Sequence, residues 1–205
     1  MVAGSIDKNY LATTVFKFSI FALYSKSFAV IKLHDKEFVP FISAEEIDFA
    51  IQEMADLVEA DFADETPIFI GVLNGAFMVV SSFMKHYKKP CEVSFVKLAS
   101  YDGMSSSNDV KQLIGLNESL EGCSVIVIED IVDTGNTVEV LKDLFKKQGV
   151  KHFKIATLFL KPDAYKKEIK LDYVGIRIPD KFIVGFGLDY DGLGRNLPEV
   201  YQLKE

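Results

Sequence analysis

Three carboxylates fall within five positions in the stretch VIVIEDIVDTGNTVEVL, which begins at Val125 and ends at Leu141: Glu129, Asp130 and Asp133. The residues before them, Val125 to Ile128, are apolar and β-branched and read as a buried strand. Behind them comes the small polar run Thr134-Gly135-Asn136-Thr137, then a helical pattern with Val138, Leu141 and Phe145 on one face. In an open α/β sheet, ligands bind at the carboxyl ends of strands. A turn with a glycine in it exposes backbone N–H groups, and the positive end of the next helix adds to them. With the hydroxyls of Thr134 and Thr137, this makes an anion site that suits a phosphate monoester. The carboxylates repel an anion, so they must face sugar hydroxyls, a divalent cation or a proton. Together the two halves describe a site for a sugar phosphate with Mg²⁺. The plainer alternative is an ordinary strand-to-helix turn, with Asp133 as its N-cap and Glu129 and Asp130 in solvent.

Other phosphate motifs fit poorly. No P-loop pattern is present, and GFGLDYDG imitates a dinucleotide fingerprint only loosely and at the wrong end of the chain. Asp130 and Asp133 are three positions apart, whereas aspartyl-nucleophile phosphatases space their two aspartates one residue apart.

The elements that must position these residues follow a regular order. Ser43 with Glu46 three positions on is a capping box, and Ile47, Ile51, Met54, Leu57 and Val58 then mark a helical stripe. PIFIGVLNGAF reads as a short buried strand and a glycine turn, and AFMVVSSFMKHYKK as a helix with a cationic last turn, ended by Pro90. CEVSFVKLAS is a further strand, and YDGMSSSNDVKQ an exposed mobile loop or hairpin tip. FKIATLFL, DYVGIRI and FIVGFGL are three more strand candidates. Strands alternating with amphipathic helices predict a mostly parallel sheet covered on both faces. Residues 1–30, aromatic-rich and broken by Lys17 and Lys26, read as a poorly ordered N-terminal extension, with neither a membrane span nor a secretory signal. Residues 31–205 read as a single domain.

A length of 205 residues suits one domain with a real core, and a formal charge of −7 argues against nucleic acid or an anionic membrane as the main partner. Cys91 and Cys123 read as buried thiols in a reducing compartment, and hence a cytoplasmic protein. His34, His86 and His152 read as structural or surface residues without partners.

VIVIEDIVDTGNT closely resembles the phosphoribosyl-diphosphate (PRPP) motif of type I phosphoribosyltransferases. GVLNGAFM, LASYDGMSSS, LFLK and PDKFIVGFGLDY resemble, in order, the hypoxanthine-guanine phosphoribosyltransferase family; the likeness spans Ile31 to Leu203. It implies an α/β type I phosphoribosyltransferase fold, with a mostly parallel central sheet flanked by helices and a small hood subdomain. It implies Mg²⁺-dependent transfer of phosphoribosyl from PRPP to hypoxanthine or guanine, giving IMP or GMP in purine salvage. It also implies a homodimer or homotetramer.

Residue by residue, the resemblance assigns the 5′-phosphate to Asp133, Thr134, Gly135, Asn136 and Thr137. Glu129 and Asp130 take the ribose hydroxyls and one Mg²⁺, and Asp189 the second metal. Asp133 becomes the catalytic base or acid at purine N7. Leu73, Asn74 and Gly75, with a non-proline cis peptide, form the pyrophosphate loop, which Arg195 approaches. Ser100 and Tyr101 open the mobile loop. Lys161 and Lys181 meet the 6-oxo group, Phe182 stacks on the base and the backbone of Ile183 reads its edge. Many members carry Lys where this chain has Asn74, Arg where it has Lys97, and Gly where it has Asn108. A regulatory nucleotide- and RNA-binding protein of the same fold is the competing reading; it requires a basic face, which a pI near 5.1 opposes. Hypoxanthine, guanine and xanthine differ at position 2 of the base, which main-chain carbonyls would read.

Overall fold

The computed structural model describes residues 29–99, 111–114 and 119–205. The expectations for the N-terminal extension up to residue 28, and for Ser100, Tyr101 and Asn108, lie outside those residues.

The central sheet has the strand order β5-β4-β3-β6-β7-β8. Its members are β3 (Ile68–Leu73), β4 (Glu92–Ala99), β5 (Lys111–Ile114), β6 (Ser124–Val132), β7 (His152–Leu160) and β8 (Tyr173–Arg177). Five of these run parallel, and β5 pairs antiparallel with β4; the loop-or-hairpin expectation for YDGMSSSNDVKQ falls on residues 101–110, outside the described residues. Among the described residues, three helices connect or cover the strands: α1 (Ala44–Asp61), α2 (Phe77–His86) and α3 (Asn136–Lys147).

Alternation along β6 fills two cores. Ile126 and Ile128 pack with residues of α1 and α2, whereas Val125 and Val127 pack with Leu141 and Phe145 of α3. Both helical faces of the sheet are therefore covered, as the strand–helix alternation predicts. Phe145 is fully buried; removing its ring would cost about 3–5 kcal/mol and unseat the helix whose first turn carries the Thr-Gly-Asn-Thr run. The capping box forms in full, with the Ser43 hydroxyl accepting from the Glu46 N–H at 3.2 Å and the Glu46 carboxylate accepting from the Ser43 N–H at 2.9 Å. Leu57 departs from the expected stripe and is 58% exposed; Ala50 and Ala55 complete the buried face instead.

A second, antiparallel sheet has the order β1-β2-β10-β9, formed by β1 (Ile31–Leu33), β2 (Lys36–Ile42), β10 (Val200–Leu203) and β9 (Ile183–Val184). It fits the implied hood. The FIVGFGL strand is shorter than expected, because Gly185, Phe186 and Gly187 all have positive φ and turn the chain after Val184. Both cysteines are half-buried rather than buried. The histidines are not without partners: His86 lies 2.8 Å from Asp48, His152 3.7 Å from Glu65, and His34 3.2 Å from the Asp191 carbonyl.

Candidate active site

The order of the central sheet reverses between β3 and β6. From β3 the chain moves outward through α2 to β4, then returns to place β6 on the other side of β3. The carboxyl ends of β3 and β6 therefore flank the switch-point crevice where open α/β sheets bind ligands. Leu73, Asn74 and Gly75 close β3, and Glu129 and Asp130 lie near the end of β6, which runs past the apolar Val125 to Ile128 and on to Val132.

Glu129 and Asp130 are adjacent in a strand and so face opposite ways. Glu129 is buried at 4% exposure, and its Oε1 has no hydrogen-bond partner among the described residues. Burial, with the neighbouring Asp130 charge, pushes its pKa well above the ordinary carboxylate value. Asp130 turns toward the β3 loop. Its pKa is pushed up to about 6 by burial, against the opposing pull of the Ile131 N–H and the Arg195 charge. The Ile131 N–H donates to its Oδ1 at 2.9 Å.

Gly75 is required by that approach, since a Cβ there would stand 1.6 Å from Asp130 Oδ2. On the loop's other side, a Cβ on Gly187 would stand 2.0 Å from the Gly75 carbonyl oxygen. The Leu73–Asn74 peptide bond is cis, as the resemblance implies. Arg195 reaches the same place. Its guanidinium donates to the Gly187 carbonyl at 2.7 Å and pairs with Asp189 at 2.6 Å. Asp189 also accepts from the Gly192 N–H at 2.8 Å. Asp130, Gly75, Asp189 and Arg195 are thus brought together from three separate segments.

The turn after β6 is not capped by Asp133. The N-cap of α3 is Gly135, left-handed at φ 83°, with no side-chain cap bond. Its Cα packs on a ring: an added Cβ would lie 2.4 Å from Tyr165 Cε2. The first helical bond runs from the Glu139 N–H to the Gly135 carbonyl at 3.1 Å, so the earlier N–H groups of α3 have no partner within the helix. Thr134, Asn136 and Thr137 are exposed beside them. The alternative of a plain capped turn with solvated acids fails on both counts, since Asp133 does not cap and Glu129 is buried.

Asp133 faces Lys161 instead. Lys161 follows β7, its N–H donates to the Val132 carbonyl at 3.0 Å, and its side chain is 10% exposed. Its ammonium donates to Asp133 Oδ2 at 3.2 Å and to Asp180 Oδ1 at 3.0 Å. Burial alone would lower the Lys161 pKa, but the bonds to Asp180 and Asp133 outweigh it and hold the group charged. Phe182 is 45% exposed. Its ring is backed by Phe38 at 6.2 Å and by the edge of Tyr190 at 5.9 Å, with the Lys36 ammonium 5.7 Å from its centroid.

The Phe182 carbonyl accepts from the Leu203 N–H at 2.9 Å. In the β9–β10 register, the backbone N–H and C=O of Ile183 then point away from β10, to the open edge of the hood sheet. Lys181 is paired with Glu205, apart from the Lys161 cluster. Among the described residues, no group of three or more His, Cys, Asp or Glu side chains forms a metal cage.

Asp180, Gly187, Tyr190 and Tyr165 were not singled out from the sequence. Asp180, Gly187 and Tyr190 sit inside the quoted PDKFIVGFGLDY motif, but their contacts are made across space and leave no spacing signal in the sequence.

A model of the phosphoribosyl transferase domain matches residues 43–191. The hypoxanthine-guanine phosphoribosyltransferase of Streptococcus agalactiae serotype V is 43% identical over 164 residues, 80% of this chain and 91% of that protein. The protein of the same name from Bacillus subtilis is 41% identical over 172 residues, 83% of this chain and 95% of that one. A crystal structure of a hypoxanthine-guanine phosphoribosyltransferase from Bacillus anthracis superposes with a TM-score of 0.76 at 36% identity, covering 80% of this chain and 98% of that one.

Proposed function

The chain belongs to the phosphoribosyl transferase domain family, among the hypoxanthine-guanine phosphoribosyltransferases, and on that premise we propose how its residues divide the work. The protein transfers the 5-phosphoribosyl group of PRPP to hypoxanthine or guanine, giving IMP or GMP and pyrophosphate. The observation that carries the assignment is the 3.2 Å contact between the Asp133 carboxylate and the Lys161 ammonium. A 6-oxopurine presents N7 and its 6-oxo oxygen side by side on one edge. An acceptor next to a donor answers that edge when N7 carries its proton.

The 5′-phosphate sits on the unpaired N–H groups opening α3, with the backbone of Asp133 and with Thr134, Gly135, Asn136 and Thr137 around it, while the Asp133 carboxylate faces Lys161. Asp130, turned to the crevice, holds the ribose hydroxyls, and Glu129 joins it only by turning out of its buried position. N9 forms the bond to C1′ as the bond from C1′ to the pyrophosphate oxygen breaks. Asp133 accepts the N7 proton. Positive charge develops on the ribose ring in that transition state, and the acids beneath it favour that charge. Lys161 donates to the 6-oxo oxygen, Phe182 stacks on the base and the outward backbone of Ile183 reads its edge. Lys181 joins them only after leaving Glu205. The backbone of Leu73, Asn74 and Gly75 receives pyrophosphate beside Arg195.

Glu129 and Asp130 would hold one Mg²⁺ and Asp189 a second, an ion usually bound through one or two carboxylates plus substrate phosphates; the Glu129 Oε1 without a partner among the described residues and the approach of Asp130 to Asp189 support this. Bound there, Mg²⁺ would neutralise charge on the departing pyrophosphate. We also propose assembly as a homodimer or homotetramer and a place in the cytoplasm, where the two free cysteines would stay reduced.

The test is nucleotide formation from PRPP and Mg²⁺ with hypoxanthine, guanine, xanthine and adenine in turn. IMP and GMP should form, and adenine should react poorly, since its 6-amino group offers donors to the Lys161 cation. No turnover of any base would refute the reading.

A further inference from the structure

We infer that Asp180 is a positioning residue that holds Lys161 toward the 6-oxo group and so sets the discrimination between 6-oxo and 6-amino purines; this rests on the reading of Lys161 given above. A lysine stem has four rotatable carbons, and its ammonium carries three donors without a preferred direction. Left alone it would sample many positions. Here it is fixed by two charge-assisted bonds from separate loops, at 3.2 Å to Asp133 and 3.0 Å to Asp180. Two of its three N–H groups are thereby used, and the tetrahedral head leaves one to donate.

The two anchors differ in what else they must do. Asp133 lies in the phosphate turn and takes up the N7 proton, so its grip on Lys161 weakens as the proton arrives. Asp180 has no such duty. It stands in the turn between β8 and β9, where the Lys181 N–H donates to the Pro179 carbonyl at 2.8 Å. That turn leads directly into Phe182 and Ile183, the residues that meet the base. Asp180 therefore ties the donor for the 6-oxo group to the segment that carries the rest of the base pocket. A fixed cation rejects a 6-amino group, because donor meets donor. A cation free to swing aside would reject it less.

The experiment is steady-state kinetics with hypoxanthine and adenine on wild type, Asp180→Ala, Asp180→Glu, Lys161→Met and the double variant Lys161→Met with Asp180→Ala. Asp180 is 66% exposed, so its removal should leave the fold intact. Loss of one solvent-screened, charge-assisted bond should raise KM for hypoxanthine roughly three- to ten-fold. KM for PRPP should stay put, and the hypoxanthine-to-adenine ratio of kcat/KM should fall by a similar factor. Asp180→Glu should recover most of both. In the Lys161→Met background, Asp180→Ala should add nothing, because the group it positions is gone. IMP binding by calorimetry reads the same cycle if turnover in that background is too slow.

An unchanged KM for hypoxanthine, an equal shift for both substrates, or an equal loss with and without Lys161 would overturn the inference. A wild-type protein that turns over hypoxanthine while Asp180→Ala behaves normally overturns this inference alone. A wild type without turnover overturns the functional reading with it.

Discussion

Asp130→Asn removes a carboxylate that the fold holds at a cost. Burial moves its pKa from 3.8 to about 6. Each pKa unit is worth about 1.4 kcal/mol, so the shift corresponds to about 3 kcal/mol. The sign follows from which state loses its proton first. The unfolded chain ionises near its ordinary value and the native state only near 6, so native protein binds the extra proton between them. Stability therefore falls as pH rises through that window, with no penalty below about pH 4 and the full penalty above about pH 6. Asparagine keeps the acceptor for the Ile131 N–H at 2.9 Å, and Arg195 keeps Asp189 at 2.6 Å. Metal-free Asp130→Asn should then be about 2–3 kcal/mol more stable than wild type near pH 8, and equal to it near pH 4. Urea unfolding of both proteins with a chelator present, at acid and alkaline pH, measures this. The variant should also lose activity with PRPP, since the ribose contact is weakened. A variant less stable than wild type near pH 8, or a difference that does not change with pH, would refute the reasoning.

Gly75→Ala would place a Cβ 1.6 Å from Asp130 Oδ2, so the loop must move; kcat/KM for PRPP should fall ten-fold or more (about 1.4 kcal/mol), with a smaller effect on KM for the base. Gly135→Ala meets both a φ of 83° and the Tyr165 ring at 2.4 Å. It should destabilise the protein by about 1–2 kcal/mol in urea unfolding and weaken PRPP, and Tyr165→Ala beside it should relieve only the steric share. Phe182→Leu removes the stacking face, worth about 1–3 kcal/mol, and should raise KM for hypoxanthine while sparing KM for PRPP.

What could be read from the sequence was what lies close together along the chain. The Ser43–Glu46 capping box spans three positions and forms as expected, and the strand, acids, turn and helix from Val125 to Lys147 are one continuous unit. The hood left little pattern to find. Its β1 has three residues and β9 two, β2 contains Pro40, and β2 pairs with β10 from the far end of the chain, Phe38 opposite Leu203. Leu57 fits a helical period yet faces outward, because the small Ala50 and Ala55 lie on the side that meets the sheet. The partners that refine the site all lie across space. Lys161 reaches Asp133 and Asp180, which are 28 and 19 positions away. Gly75 touches Asp130 and Gly187 only because β3 and the C-terminal segment converge on it. No spacing rule could have linked them; the family motifs supplied the order, and the fold supplied the contacts.

The central claim is that Asp133 and Lys161 address one edge of a 6-oxopurine while PRPP lies on the turn that opens α3. A single-turnover measurement of IMP formation, with PRPP and Mg²⁺ prebound, tests it on wild type and Asp133→Asn. The account predicts rapid IMP formation by wild type and a rate lower by about 10²-fold or more in the variant, with PRPP still bound. Equal single-turnover rates in the two proteins would contradict it.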